Sequence, residues 1–133
     1  MNYIKLRKNN LCVENISALS LAKKYKTPFY CYSLSQLKSN FYNFSSAFED
    51  TKPLVCFSVK SNSNLNLLKE LKKMGSGADV VSAGELLKAL RAGINPKKIV
   101  FSGVGKTVEE IELAIKKRVL LINMESENEA ILI

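Results

Sequence analysis

Leu54-Val55-Cys56-Phe57-Ser58-Val59-Lys60-Ser61-Asn62 decides the fold of this chain. Five of its first six residues are apolar, and a lysine stands where the apolar run ends. A short run that is apolar almost throughout fits a strand buried on both faces. A lysine at the end of such a strand carries its amine past a rigid, dry wall into the space beyond, as covalent lysine chemistry requires. Ammonium groups are rarely buried, so Lys60 also fits the point where a strand reaches solvent. The surrounding sequence has to separate the two.

On the C-terminal side the pattern repeats. Leu65, Leu68, Leu71 and Met74 share one side of a helix expected near 64–74. Ala78-Asp79-Val80-Val81 predicts a strand over 78–81, and Ser82 with Glu85 three residues on predicts a capped helix over 83–92. Gly93 ends that helix as a left-handed cap would. A strand is expected over 99–102, then a helix over 108–117 with Thr107 and Glu110 as a second capping box. A strand over 119–122 leads to a last helix from Ser126, with Glu129 at the third position. The strand starts, near 54, 78, 99 and 119, recur every 20–24 residues. That is a β/α repeat, with a parallel sheet covered on both faces and right-handed crossovers. Units this short predict an α/β fold of the partial TIM-type (β/α)8 barrel kind.

On the N-terminal side, residues 1–26 read as a separate segment, polar and irregular over 1–15 with a short strand over 3–6. Asn15 or Ser17 would cap a helix over 17–25, with Leu19, Leu21 and Ala22 facing inward. Thr27-Pro28 breaks that helix, because the residue before proline is pushed out of the α region. Phe29-Tyr30-Cys31-Tyr32 is expected as a strand, and Ser33 with Gln36 as the start of a helix. Leu34, Leu37, Phe41, Phe44 and Phe48 recur at spacings of 3, 4, 3 and 4, one apolar face expected to pack as core. Residues 27–133 then hold about four to five β/α units, roughly half of a barrel of about 250 residues. The last residues, Ile131-Leu132-Ile133, continue a helix-like apolar pattern, so a truncated or split product with open sheet edges and one uncovered sheet face is expected.

Length and composition exclude several function classes. At 133 residues, 47% apolar and 24% charged, the chain has the make-up of one ordinary globular domain. Its apolar runs are far short of a membrane span, and its first residues lack a signal-peptide core. The expectation is a cytoplasmic protein with no membrane partner. A net charge of +8 raises nucleic acid as a partner. The lysines are spread singly and in pairs, however, and the arginines are only Arg7, Arg91 and Arg118. A solvated basic surface is expected, with no nucleic-acid partner. Cys12, Cys31 and Cys56 form no CxxC pair, and the chain has no histidine. That leaves a zinc site almost no ligands to draw on and excludes a histidine-activated nucleophile within these residues. Cys31 and Cys56 lie in apolar runs and are expected to be small buried hydrophobes.

In a β/α barrel, chemistry sits at the C-terminal ends of the strands. Those positions fall in four largely polar segments, Lys60-Ser61-Asn62, Ser82-Ala83-Gly84-Glu85, Ser102-Gly103-Val104-Gly105-Lys106-Thr107 and Asn123-Met124-Glu125-Ser126. Asp79 is a carboxylate inside an apolar strand and needs a partner. Lys60 on the neighbouring strand would be one. Two motifs fail. Gly103-Val104-Gly105-Lys106-Thr107 has Val100 where a phosphate-binding loop needs its first glycine. Gly75-Ser76-Gly77 precedes a strand instead of following one, and Val80 takes its third glycine position.

These residues also carry a family resemblance. Phe57-Ser58-Val59-Lys60-Ser61-Asn62 resembles the Y-A-V-K-A-N motif of fold type III pyridoxal-phosphate enzymes. Gly77-Ala78-Asp79-Val80-Val81-Ser82-Ala83-Gly84-Glu85-Leu86 resembles the G-A-D-V-V-S-G-G-E-L segment of diaminopimelate decarboxylases. Ile99-Val100-Phe101-Ser102-Gly103-Val104-Gly105-Lys106-Thr107 is similar to that family's third-strand segment. Thr27-Pro28-Phe29-Tyr30-Cys31-Tyr32 resembles the T-P-L-Y-V-Y segment that leads into its barrel. The resemblance implies decarboxylation of meso-diaminopimelate to lysine, with pyridoxal 5'-phosphate held by Lys60 as a Schiff base. It implies Asp79 beside the cofactor and Glu85 supporting the same pocket from the helix start. In the family, a ring-stacking histidine, a glycine-rich phosphate loop, an acidic partner for the pyridine nitrogen and a C-terminal β domain all lie beyond residue 133. The expectation is therefore little or no activity from this chain alone, unless a complementing C-terminal fragment or self-association completes the site. A non-catalytic remnant, a pyridoxal-phosphate-binding module, or a related decarboxylase of another basic amino acid are the alternatives.

Overall fold

The computed structural model describes residues 3–133, and the chain divides after Thr51 into two units. Met1 and Asn2, part of the segment expected to be irregular, lie outside the described residues. From Tyr3 onward the first unit is more regular than expected. Strands β1 (Ile4–Arg7), β2 (Asn10–Val13) and β3 (Ile16–Ser17) pair antiparallel in that order. Lys8 and Asn9 join β1 to β2 at φ of 47° and 62°. Positive φ at both turn residues matches the twist of the flanking strands, so a polar pair that reads as coil makes a tight hairpin.

Helix α1 (Ala18–Tyr25) follows with Ser17 at its cap position, although the serine side chain makes no capping bond. Leu19 does not face inward as expected; it is 59% exposed. Residues 29–32 are not a strand. A strand needs a neighbour for its backbone groups, and this unit's sheet is complete without them. Cys31 is accordingly exposed instead of buried.

Helix α2 (Leu34–Ser46) starts where expected, with the Ser33 hydroxyl accepting from the Gln36 backbone N–H. Glu14 braces this start, accepting from the Ser33 hydroxyl at 2.7 Å and the Ser35 N–H at 2.9 Å. These bonds, the Ser35 N–H first, hold the Glu14 carboxyl below its ordinary pKa. The aromatic stripe departs from expectation, since no α2 side chain is buried and Phe44 is 57% exposed. An amphipathic face needs a second layer to cover it. Phe44 and Phe48 do meet each other, with ring centroids 5.3 Å apart.

The second unit is the β/α repeat. Strand β4 (Cys56–Ser58) runs into a 3-10 turn at Val59–Ser61, and α3 (Leu65–Lys73) leads to β5 (Gly77–Val80). Helix α4 (Ala83–Arg91), β6 (Ile99–Phe101), α5 (Val108–Lys117), β7 (Leu121–Ile122) and α6 (Glu127–Leu132) follow. Strands β4, β6 and β7 are shorter than expected, but the four form one parallel sheet in chain order, β4-β5-β6-β7. Consecutive neighbours, each linked through a helix, form a singly wound barrel-type sheet.

The register shows which face the helices cover. Ala78, Val80, Ile99 and Phe101 alternate onto one face and are fully buried. Helix α4 lies over β5 and β6 with α3 and α5 beside it, contributing Leu68, Leu71, Leu86, Ala89, Ile111 and Ala114 to the same core. Burying each large side chain here is worth about 1.5–3 kcal/mol. The opposite face carries one row across all four strands, Ser58, Asp79, Val100 and Leu121. Within this unit the helices cover one face and leave the other uncovered, as expected of half a barrel, because successive helices stack side by side. Gly77 allows β5 to approach β6; a Cβ there would strike the Lys98 carbonyl and the Cys56 sulfur. Gly93 closes α4 at φ +87°, as its position predicts.

Candidate active site

The helix-free face and the C-terminal ends of its strands bring together most of the residues singled out from sequence. Val59 is fully buried and pins the turn after β4. Lys60, next in the chain, is exposed and makes no hydrogen bond or ion pair among the described residues. Its amine is therefore free at the strand's end.

Asp79 lies in β5 directly opposite Ser58 in β4. The expected Lys60–Asp79 ion pair is not formed. Asp79 Oδ1 and Ser58 Oγ are both buried without a hydrogen-bond partner, and they are the two such side-chain atoms among the described residues. The physical reason is register: β4 ends at Ser58, two residues before Lys60, so a serine, not the lysine, stands beside the aspartate. Burial, and then the nearby Asp79 carboxylate, push the Cys56 thiol above its ordinary pKa.

Glu85 acts locally. Its Oε2 accepts from the Val81 N–H at 3.0 Å, while its own N–H donates to the Ser82 hydroxyl. These two bonds fix the turn that follows Asp79. The next helix reaches back to the same turn, with Glu110 Oε1 accepting from the Ala83 N–H at 2.8 Å. Glu110 also completes the capping box with Thr107 expected from the spacing.

At the ends of β6 and β7, the Asn123 side-chain amide donates to the Ser102 hydroxyl at 3.0 Å. Sequence reasoning missed the group beneath them. Lys106 is buried, and its ammonium donates to Gly103 O at 2.6 Å, Asn123 O at 2.7 Å and Glu129 Oε1 at 2.5 Å. All three of its donors are spent, which leaves no free lysine amine for a phosphate-loop role. The Lys106 bond and the Glu125 N–H hold the Glu129 carboxyl below its ordinary pKa. The capping pattern from Ser126 marked Glu129, but the partner twenty-three residues earlier leaves no local signal.

Among the described residues no group of three His, Cys, Asp or Glu side chains could hold a metal, and all three cysteines are free. No helix among them is long and apolar enough to cross a membrane.

Comparison with known proteins bears on the same residues. The family profile described as "Pyridoxal-dependent decarboxylase, pyridoxal binding domain" matches residues 34–133. A diaminopimelate decarboxylase of Helicobacter pylori is 53% identical over 106 residues, covering 80% of this chain and 26% of that protein. One from Aquifex aeolicus is 42% identical over 127 residues, covering 96% of this chain and 30% of its own. The crystal structure of diaminopimelate decarboxylase from M. jannaschii in complex with L-lysine superimposes with a TM-score of 0.94 at 35% identity. That match covers 98% of this chain and 32% of the other. The chain thus spans about a third or less of the relatives it matches.

Proposed function

The chain belongs to the pyridoxal-dependent decarboxylases, matching their pyridoxal binding domain, and from that premise we propose that residues 27–133 are the lysine-bearing part of a diaminopimelate decarboxylase barrel. Residues 1–26 form an N-terminal segment ahead of it. One observation carries the proposal: a free lysine amine stands in the turn just past β4, whose Ser58 and the facing Asp79 of β5 each bury an unsatisfied oxygen. Pyridoxal 5'-phosphate is the cofactor of the family, and this chain's residues fit its reactive end. An amine is available to hold it, and the unpartnered Ser58 and Asp79 oxygens await polar groups on the same face.

Lys60 would hold the cofactor through Nζ, since its amine is exposed and unpaired among the described residues. The chemistry supplied by the bound cofactor is an electron sink at the carbon that loses CO2. Asp79, with its unpartnered Oδ1, would offer an acceptor on the same face beside Ser58. Glu85 keeps the turn after Asp79 in place through its bond to the Val81 N–H. Val59 keeps the wall behind the amine free of water.

The substrate proposed is meso-diaminopimelate and the product L-lysine, supported by the two relatives' names and by the L-lysine in the M. jannaschii complex. A cytoplasmic location goes with that biosynthetic role and with the free cysteines. Turnover needs the rest of the barrel, because the four parallel strands β4-β5-β6-β7 that carry the row Ser58, Asp79, Val100 and Leu121 do not close into one. A complementing C-terminal polypeptide is the proposed source. Mixing the purified chain with a polypeptide spanning the remaining part of the Helicobacter relative should yield lysine from diaminopimelate, and Lys60→Ala should abolish it. Steady turnover by the 133-residue chain alone would overturn the need for a second part.

A further inference from the structure

We infer that Lys106 is a positioning residue, which locks the loops after β6 and β7 and so sets how tightly the strand-end face takes its cofactor. The inference rests on the proposed role of Lys60. The loop from Ser102 to Thr107 contains Gly103 and Gly105, at φ +93° and +68°. Two such glycines leave a loop free to sample many conformations. One buried ammonium removes that freedom. It binds the Gly103 carbonyl of its own loop, the Asn123 carbonyl at the end of the next strand, and the Glu129 carboxylate on α6.

Glu129 is itself fixed from the other side, since its Oε2 accepts from the Glu125 N–H at 3.0 Å. The brace therefore spans both loops, and above it Ser102 and Asn123 are held in contact. An ammonium can serve three acceptors around a point, whereas the planar guanidinium of arginine cannot. The side chain of Lys106 is 1% exposed, so it contacts no bound molecule itself and acts only through the loops.

Lys106→Met and the milder Glu129→Gln test this on the full chain. Pyridoxal phosphate is titrated in, borohydride is added, and the adduct on Lys60 is quantified, alongside amide hydrogen exchange. Loss of positioning should raise the half-saturating cofactor concentration at least about tenfold with the plateau unchanged. Exchange should quicken in 102–106 and 123–125 while α4 stays protected. A purely structural role would instead lower the plateau and loosen every element, and that result overturns the inference. So does an unchanged half-saturation in both variants. If the parent chain forms no adduct, the role of Lys60 falls. The loop brace is then decided by exchange alone, standing if only those loops quicken and failing if they do not.

Discussion

Ser58 and Asp79 face each other as register partners on β4 and β5, and each buries an oxygen that no described residue satisfies. An orphaned buried polar atom costs about 1–3 kcal/mol. Native proteins keep such atoms where a ligand or catalysis uses them. Here both lie at the foot of the turn that carries Lys60.

Asp79→Asn removes a buried charge with little change of shape. The variant should resist urea better than the parent by about 1 kcal/mol while capturing pyridoxal phosphate less well. A variant less stable than the parent would mean that the carboxylate is already satisfied.

The same substitution has a second readout. Burial is the larger cause of the raised Cys56 pKa, and the Asp79 charge is the next. The pH profile of Cys56 alkylation should move to lower pH in Asp79→Asn without reaching that of an exposed thiol. An unmoved profile would place the carboxylate too far away to act on the thiol.

The helix-covered face is the stable part of the sheet. Phe101 is fully buried there, and Phe101→Ala should cost about 3–5 kcal/mol in a urea titration. Gly77→Ala should cost about 1–3 kcal/mol, because the added methyl meets backbone at Lys98. A neutral Gly77→Ala would show that β5 and β6 can part without penalty.

The repeat was legible because its signals are local. The caps at Ser33, Ser82, Thr107 and Ser126 all accept the backbone N–H three residues on, as their spacing predicts. What failed was non-local. The 29–32 run has β-favouring residues but no partner strand, and the α2 stripe has the right period but no covering layer in its unit. Asp79 was visible as a charge in an apolar strand, yet periodicity could not show that Ser58 is its neighbour. The Lys106–Glu129 pair joins positions that only the fold brings together.

That pair also gives a pH dependence. Glu129 titrates below its ordinary 4.5 in the folded chain. Its contribution to stability is thus fully present above pH 4.5 and is lost as pH falls through the depressed folded value. Urea midpoints between pH 6 and pH 3 should fall on acidification, and Glu129→Gln should flatten that fall. Parallel slopes would show that the pair carries none of the acid sensitivity.

The most direct measurement of the central claim is the site of cofactor capture. The chain is incubated with pyridoxal phosphate, reduced with borohydride, digested and mapped by mass spectrometry. The predicted result is one phosphopyridoxyl group on Lys60, absent in Lys60→Ala, with the other lysines unmodified at low cofactor concentration. Labelling scattered over the surface lysines, with Lys60 no more reactive than the rest, would contradict it.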